Sequence, residues 1–288
     1  MANLKEIRNR ITSVGSTMQI TSAMKMVSAA KLKKAQDAIT AMRPYADKLT
    51  ELLQSVSASL EGDSGSVFAE QRDVKNVLVV AITSNRGLCG AFNTNVIKQA
   101  SKLANETYAD KNVSFMTVGK KGNDILSKKY YVIHNNNSVF DDLTFENASD
   151  ITRRLMEVYT EGTYDKILLV YNHFKNAATQ IVKTENFLPI EPIEQEELSN
   201  SAADYIFEPS KVEIVETLIP KSLKTQLYKA VRDSFASEHG ARMTAMHKAT
   251  DNAKELKSEL TLTYNKARQA AITNEILEIV GGAEALNN

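Results

Sequence analysis

The amino-acid sequence predicts an α/β protein: a long antiparallel two-helix coiled coil formed by the N- and C-terminal helices, plus a central Rossmann-like domain. Three observations predict it. Proline and glycine are sparse from Leu4 to Leu60 and again from Lys221 to Val280, and concentrate between them. Apolar residues near the N-terminus recur with a sustained heptad period. The middle begins with an unbroken β-branched run, Asn76 to Ile82. The chain therefore divides into residues 1–61, a helix; 62–220, the α/β domain; and 221–288, a second helix.

The N-terminal seam has two interleaved series. One is Leu4, Ile11, Met18, Lys25, Leu32, Ile39, Ala46, Leu53 and Leu60. The other is Ile7, Val14, Thr21, Ser28, Ala35, Met42, Leu49 and Val56. Only Thr21, Lys25 and Ser28 are polar, so the register predicts a helix packed lengthwise against one partner helix. Such a helix is roughly 80–90 Å long at 1.5 Å per residue. Pro44 is expected to kink or break it, because its ring removes a donor and clashes with the preceding turn.

The middle predicts parallel strands at Asn76–Ile82, Val113–Val118 and Lys166–Tyr171, with helices at Asn93–Tyr108 and Ala148–Thr160. The alternation of Gln180–Phe187 fits an added antiparallel strand. In the C-terminal helix, Ser222 is the expected N-cap after Pro220. Ala241, Ala245, Ala249 and Ala253 make a small-residue ridge for close helix approach. Leu256, Leu260, Tyr264, Ala267 and Ala271 continue the stripe, and Gly281-Gly282 are the expected stop.

Composition narrows the function. The 288 residues carry 35 basic and 35 acidic side chains, a formal charge of zero, so there is no global argument for nucleic acid or an anionic membrane. Charge is nonetheless uneven: residues 1–34 are basic and residues 140–208 acidic. A single cysteine, Cys89, excludes an internal disulfide framework and fits a reducing compartment. The opening MANLKE has neither the apolar core of a secretory signal nor the look of a transit peptide. No stretch approaches the roughly 20 apolar residues of a membrane span. A cytosolic protein is expected, on a membrane only through partners.

Chemistry-bearing groups are few. The turn Ser84 to Asn93, containing Arg86, Gly87, Cys89 and Gly90, follows the first buried strand and opens a helix, where an α/β fold places ligands. Its spacing is neither that of a dinucleotide fingerprint nor that of a P-loop, and a tight structural turn is the expectation. Arg86 is a candidate to lower the Cys89 pKa, but no histidine is placed to activate that thiol. His134, His173, His239 and His247 lack metal-ligand spacing. Gly119-Lys120-Lys121-Gly122 reads as a strand-to-helix turn. No catalytic centre, metal or cofactor is expected. Met24, Met26 and Val27 flank the polar interruption of the seam and are expected to point off it, as flexible Met suits a sliding surface. From the residues alone, three readings stay open: a mechanical shaft, a small α/β enzyme using the Gly87–Gly90 turn, and a coiled-coil scaffold.

Several strings together are distinctive. LKEIRNRI and Met18 to Lys34 (MQITSAMKMVSAAKLKK) resemble the N-terminal helix of the gamma subunit of the F-type ATP synthase. Arg86-Gly87-Leu88-Cys89-Gly90 matches that family's R-G-L-C-G, and Ser237 to Met246 with Leu262 to Gly282 resembles its C-terminal signature helix. The likeness spans essentially the whole chain. It implies a central rotor shaft that couples ion flow to conformational change in catalytic beta subunits. The implied partners are the alpha and beta subunits of the hexamer, the epsilon subunit and the membrane c-ring, on the cytoplasmic face of a bacterial plasma membrane.

By the same resemblance, Met24 and Lys25 match the coupling segment that faces a catalytic subunit. Lys31, Lys33 and Lys34 extend its electrostatic track, and Arg268 and Gln269 match a polar catch on the hexamer. Tyr205, Phe207 and Glu208 match the epsilon and c-ring contact. Two positions depart from the family: Asn85 stands where Asp is common, and Gly240 where Ala or Ser is common, an expected local softening of about 1 kcal/mol. The chloroplast members' redox cysteine pair has no counterpart.

Overall fold

The computed structural model describes residues 4–58, 67–68, 70–190 and 211–287. Its elements are α1 (Leu4–Ala58), β1 (Asn76–Ile82), α2 (Phe92–Lys102) running into a π-turn (Leu103–Thr107), β2 (Asn112–Val118) and α3 (Lys120–Leu126). There follow β3 (Val132–Asn135), a 3-10 turn (Ser138–Phe140), α4 (Phe145–Thr160), β4 (Lys166–Phe174), β5 (Gln180–Leu188) and α5 (Lys211–Asn287). Contacts group the chain into two units, Met1–Ser28 with Met243–Asn288, and Ala29–Arg242.

The larger unit is built on a five-stranded sheet of order β3-β2-β1-β4-β5. The first four strands are parallel, and β5 joins β4 antiparallel. The four strands read from the sequence are all present. Short β3 escaped it because four residues carry too little periodicity to register. The β1 run is buried on both faces because alternate side chains enter separate cores. Leu78, Val80 and Ile82 face Ile151, Leu155 and Tyr159 of α4, together with Ile219, Leu223, Leu227, Ala230 and Val231 of α5. Val77, Val79 and Ala81 face Val96, Ile97 and Ala100 of α2 and Leu126 of α3. The first described turns of α5 are thus a layer of the α/β sandwich.

Three boundary expectations are corrected. α5 starts at Lys211 and contains Pro220, so Ser222 lies inside the helix and is not its N-cap. α5 also runs through Gly281-Gly282 to Asn287 rather than stopping there. α1 continues through Pro44 to Ala58 without a break. In each case the local signal costs a few kcal/mol at most, and the rest of a long helix outweighs it.

In the smaller unit, α1 and α5 form an antiparallel pair. The Thr250 hydroxyl donates to the Thr21 hydroxyl at 2.8 Å, and a Cβ on Gly15 would sit 3.8 Å from Lys257 Nζ; residue numbers fall on one helix as they rise on the other. Every described position of the α1 heptad series is buried or half-buried here: Leu4, Ile7, Ile11, Val14, Met18, Thr21, Lys25 and Ser28. The seam on α5 is Met246, Thr250, Ala253, Lys257, Leu260, Tyr264, Ala267 and Ala271, spaced alternately by four and three. The alanines of the expected ridge are covered too, Ala241, Ala245 and Ala249 half-buried and Ala253 buried, whereas Leu256, expected in the stripe, is exposed. From Ile272 to Ala283 every residue of α5 is exposed.

Candidate functional site

In an open α/β sheet, ligands bind outside the carboxyl ends of the strands where the strand order reverses. Here that point lies between β1 and β4, and the Arg86–Gly90 turn follows β1 directly. The turn is internally tied. Ser84 Oγ donates to the Arg86 carbonyl at 2.6 Å, and Asn93 Oδ1 accepts from the Ser84 backbone N–H at 2.9 Å. Asn93 Nδ2 lies 3.3 Å from Cys89 Sγ. Gly90 has φ of +59° and Leu88 of +61°, the left-handed region that costs a non-glycine residue roughly 1 kcal/mol.

What holds this strained turn is Arg242 of α5, a residue that sequence reasoning left without a role. Its Nη2 donates to the carbonyls of Arg86 at 3.1 Å and Gly87 at 3.2 Å. Its Nη1 pairs with Glu238 Oε1 at 2.7 Å, both side chains 8% exposed. A signal was present: Glu238 and Arg242 are an i,i+4 acid–base pair, a pattern usually read as a solvent face. Burial pushes the Glu238 carboxyl above its usual range, with Arg242 pulling it back. His239 is buried beside the same guanidinium, which donates to Nδ1 at 3.4 Å. Burial first, then the charges of Arg242 and Lys31, push its pKa down to about 3. The ring is neutral at physiological pH, and its proton sits on Nε2.

Cys89 behaves as a packing group. Its thiol pKa is raised by burial, against weaker lowering by the Ser84 hydrogen bond and the Arg242 charge. The expectation that Arg86 activates it is corrected, since burial outweighs the cations and the relevant one is Arg242. The other side of the crevice is closed as well. Asn85 Nδ2 donates to the Asn137 carbonyl at 2.8 Å, and Asn85 Oδ1 accepts from the Lys120 N–H at 3.0 Å. An amide can do both where a carboxylate can do only the second, which gives this departure from the family pattern a local reason. Gly119, at φ +109°, leaves 2.4 Å between a built Cβ and the Thr83 carbonyl oxygen, so no side chain fits there. The Gly119–Gly122 segment is a crossing point, with the Gly122 N–H donating to Thr83 Oγ1 at 2.9 Å.

The histidines are dispersed. His173 Nδ1 lies 2.6 Å from Asp233 Oδ2, and His247 pairs with Asp251 at 3.1 Å. His134 stands on β3 with its pKa lowered by partial burial and by Arg154. Among the described residues, no group of three or more His, Cys, Asp or Glu could hold a metal ion.

The residues matched to the coupling segment lie on helix surfaces. Met24 and Lys25 are half-buried, and Met26 and Val27 are exposed. Met24 lies on α1 near Thr21 and Lys25 and is partly covered, unlike Met26 and Val27. Lys31, Lys33 and Lys34 are exposed on α1, and Arg268 and Gln269 are exposed on α5. Tyr205, Phe207 and Glu208 lie outside the described residues.

Three comparisons place this architecture. The ATP synthase family model matches residues 3–286. The ATP synthase gamma chain of Flavobacterium johnsoniae is 73% identical across 100% of both chains. The chain belongs to the ATP synthase gamma chain family. Among solved structures, a chain in the OSCP/F1/c-ring assembly of Euglena gracilis mitochondrial ATP synthase is similar with a TM-score of 0.71 at 25% identity, covering 98% of this chain and 94% of that one. A chain of the central stalk and c-ring of Tetrahymena thermophila mitochondrial ATP synthase is similar at 0.58 and 28% identity, covering 80% of this chain and 99% of that one. These likenesses give the chain the central-stalk role of the gamma family in an F-type ATP synthase. In this gamma-family chain the crevice where an α/β enzyme holds its ligand is occupied by α5 itself. No described helix is long and apolar enough to cross a membrane.

Proposed function

We propose that this chain is the rotor that carries conformational bias to the catalytic beta subunits while its α/β domain engages the epsilon subunit and the c-ring. One observation supports the reading best. From Ile272 to Ala283 α5 has no cover among the described residues, yet it bears Ile272, Ile276, Leu277, Ile279 and Val280, all exposed. Apolar side chains crowded on one bare helix mark a surface made for another protein. A ring of alpha and beta subunits is the partner that the family resemblance supplies. The chain would work on the cytoplasmic face of a bacterial membrane, held there through those partners.

Coupling in this arrangement is differential contact. A ligand or partner shifts an equilibrium only as far as its affinities for the two states differ. An asymmetric shaft meets each beta subunit with a different face, so each is biased to a different state. Met24, Lys25 and the Lys31, Lys33, Lys34 cluster would supply the polar and flexible contacts, with Arg268 and Gln269 engaging the hexamer elsewhere. The reaction's chemistry belongs to the beta subunits, and this chain has no active site of its own. Met24→Lys places a second cation beside Lys25 and would strengthen attachment to an acidic partner in one rotational state. Ion pumping per ATP hydrolysed, in membrane vesicles holding the whole complex, is expected to fall severalfold; an unchanged ratio would overturn the assignment of Met24.

A further inference from the structure

The α5 segment from Asp233 to Arg242 makes an unusual density of directional contacts with the α/β domain. Asp233 Oδ2 meets His173 Nδ1 at 2.6 Å, with the Asp233 side chain 1% exposed. Ser237 Oγ donates to the Asn172 carbonyl at 3.0 Å, and Asn172 Nδ2 in turn donates to the Phe92 carbonyl at 3.1 Å. Arg242, held by Glu238, donates to the Arg86 and Gly87 carbonyls. Gly240 lets the helix approach the β4–β5 hairpin so closely that a Cβ would stand 3.2 Å from the Ala177 carbonyl oxygen. The glycine that departs from the family pattern is thus a close-approach site rather than a soft spot.

The arrangement around the helix axis is informative. At about 100° per residue, Asp233, Ser237 and Gly240 fall within an arc of roughly 60°, and Arg242 leaves the helix about 180° from Asp233. The helix is gripped from two sides, by the carboxyl ends of β4 and its hairpin on one and by the turn after β1 on the other. Apolar packing is non-directional, so a helix resting only on the Leu223, Leu227 and Val231 face can turn slightly about its axis by repacking. Hydrogen bonds weaken steeply when bent, and contacts at opposed azimuths resist such a turn together. The network fills the position at which related folds bind ligands.

We infer that Asp233, Ser237, Gly240 and Arg242 are positioning residues that key α5 rotationally to the α/β domain, so that torque entering the domain is delivered to the helix without slip. This rests on the rotor reading. The loop-facing groups His173, Asn172, Arg86 and Gly87 are the fixed half of the key. Beyond Arg242 the helix continues without interruption to Asn287.

The test uses the complete ATP synthase in membrane vesicles, with Ser237→Ala, Asp233→Asn and the double variant, and Ser237→Thr as the conservative control. Three quantities are compared: assembled complex per vesicle, ATP hydrolysis, and ATP synthesis driven by an imposed ion gradient. For the double variant, the ratio of synthesis to hydrolysis is expected to fall at least about fivefold at equal assembly, whereas Ser237→Thr, which keeps the hydroxyl, is expected to stay near the parent ratio. Single-molecule rotation, with the probe on the α/β domain and the hexamer fixed, should show broader angular fluctuations at each dwell. If both activities fall in proportion to the amount of assembled complex, or if the ratio and the angular width stay at the parent values, the key is overturned. Failure of the rotor reading itself looks different: the unaltered chain would not co-purify with the hexamer or rotate within it.

Discussion

The two units of the chain solve the problem of stability in opposite ways. In the Ala29–Arg242 unit, β1 from Val77 to Ile82 is wholly inaccessible, and two apolar cores sandwich the sheet. In the unit of Met1–Ser28 with Met243–Asn288, burial is confined to seams along the helices in which most positions are only half-buried, and past Ala271 even that ends. A sheet domain brings its own partner layers, whereas a helix pair covers about a third of each helix and leaves the remainder for other proteins. The first region buries its apolar side chains within the chain, and the second leaves many of them open. On the proposed rotor reading, its exposed Ile, Leu and Val are contact residues where identical residues in the sheet are structural.

The sharpest way to break the contrast is to open the sheet core. Phe115, fully buried against Tyr130 with ring centroids 4.8 Å apart, should cost about 3–5 kcal/mol when changed to Ala. Denaturant unfolding followed by circular dichroism would read this as an earlier transition of the α/β domain. Near-parent stability would mean that the two-layer core is less tightly packed than its burial indicates.

A second, pH-driven effect follows from His239. Its folded pKa of about 3 lies below the ordinary value of about 6.5, so the folded state binds fewer protons between those values. Stability from this group is fully present above pH ~6.5 and is lost as pH falls toward 3. Glu238 acts in the opposite sense: its raised pKa adds stability at low pH that is lost as pH rises through the folded value. His239→Gln should flatten the acid side of a stability-against-pH curve measured between pH 4 and 7, while the parent falls by a few kcal/mol. A parent curve as flat as the variant's would remove the buried neutral imidazole from the account.

A smaller effect is expected at Asn85. Asn85→Asp keeps the acceptor for the Lys120 N–H and loses the donor to the Asn137 carbonyl, at a cost of about 1–2 kcal/mol. Hydrogen exchange at the Lys120 amide should stay slow while the Asn137 loop loosens. Smallest for the isolated chain is Ile279→Ser, expected within about 0.5 kcal/mol because the side chain is 71% exposed. The same change should weaken attachment to the hexamer severalfold in a pull-down titration. If it destabilises the chain and spares attachment, the end of α5 is packing rather than contact surface.

Much of the fold was legible because it rests on repeating patterns. The heptad series of α1 needed only period counting, and its positions from Leu4 to Ser28 are all covered. The β1 run announced a strand buried on both faces. Boundaries were less legible: Pro220 and Gly281-Gly282 carry strong local signals that a 77-residue helix absorbs. The site residues divided in the same way. The Arg86–Gly90 turn stood out by its glycines and its resemblance, whereas its holder, Arg242, lies 155 residues away from Gly87 in the chain, a distance that no local pattern bridges.

Periodicity and composition by themselves determined that this chain has two helical ends, a parallel α/β centre and no disulfide framework, because these follow from nearest neighbours along the chain. Only the tertiary structure decided that α5 enters the crevice at the carboxyl ends of the strands, that Glu238 and Arg242 are buried rather than solvated, and that Cys89 is buried with its thiol pKa raised. Those facts depend on which surfaces meet, and burial changes the meaning of a charge more than its position in the sequence does.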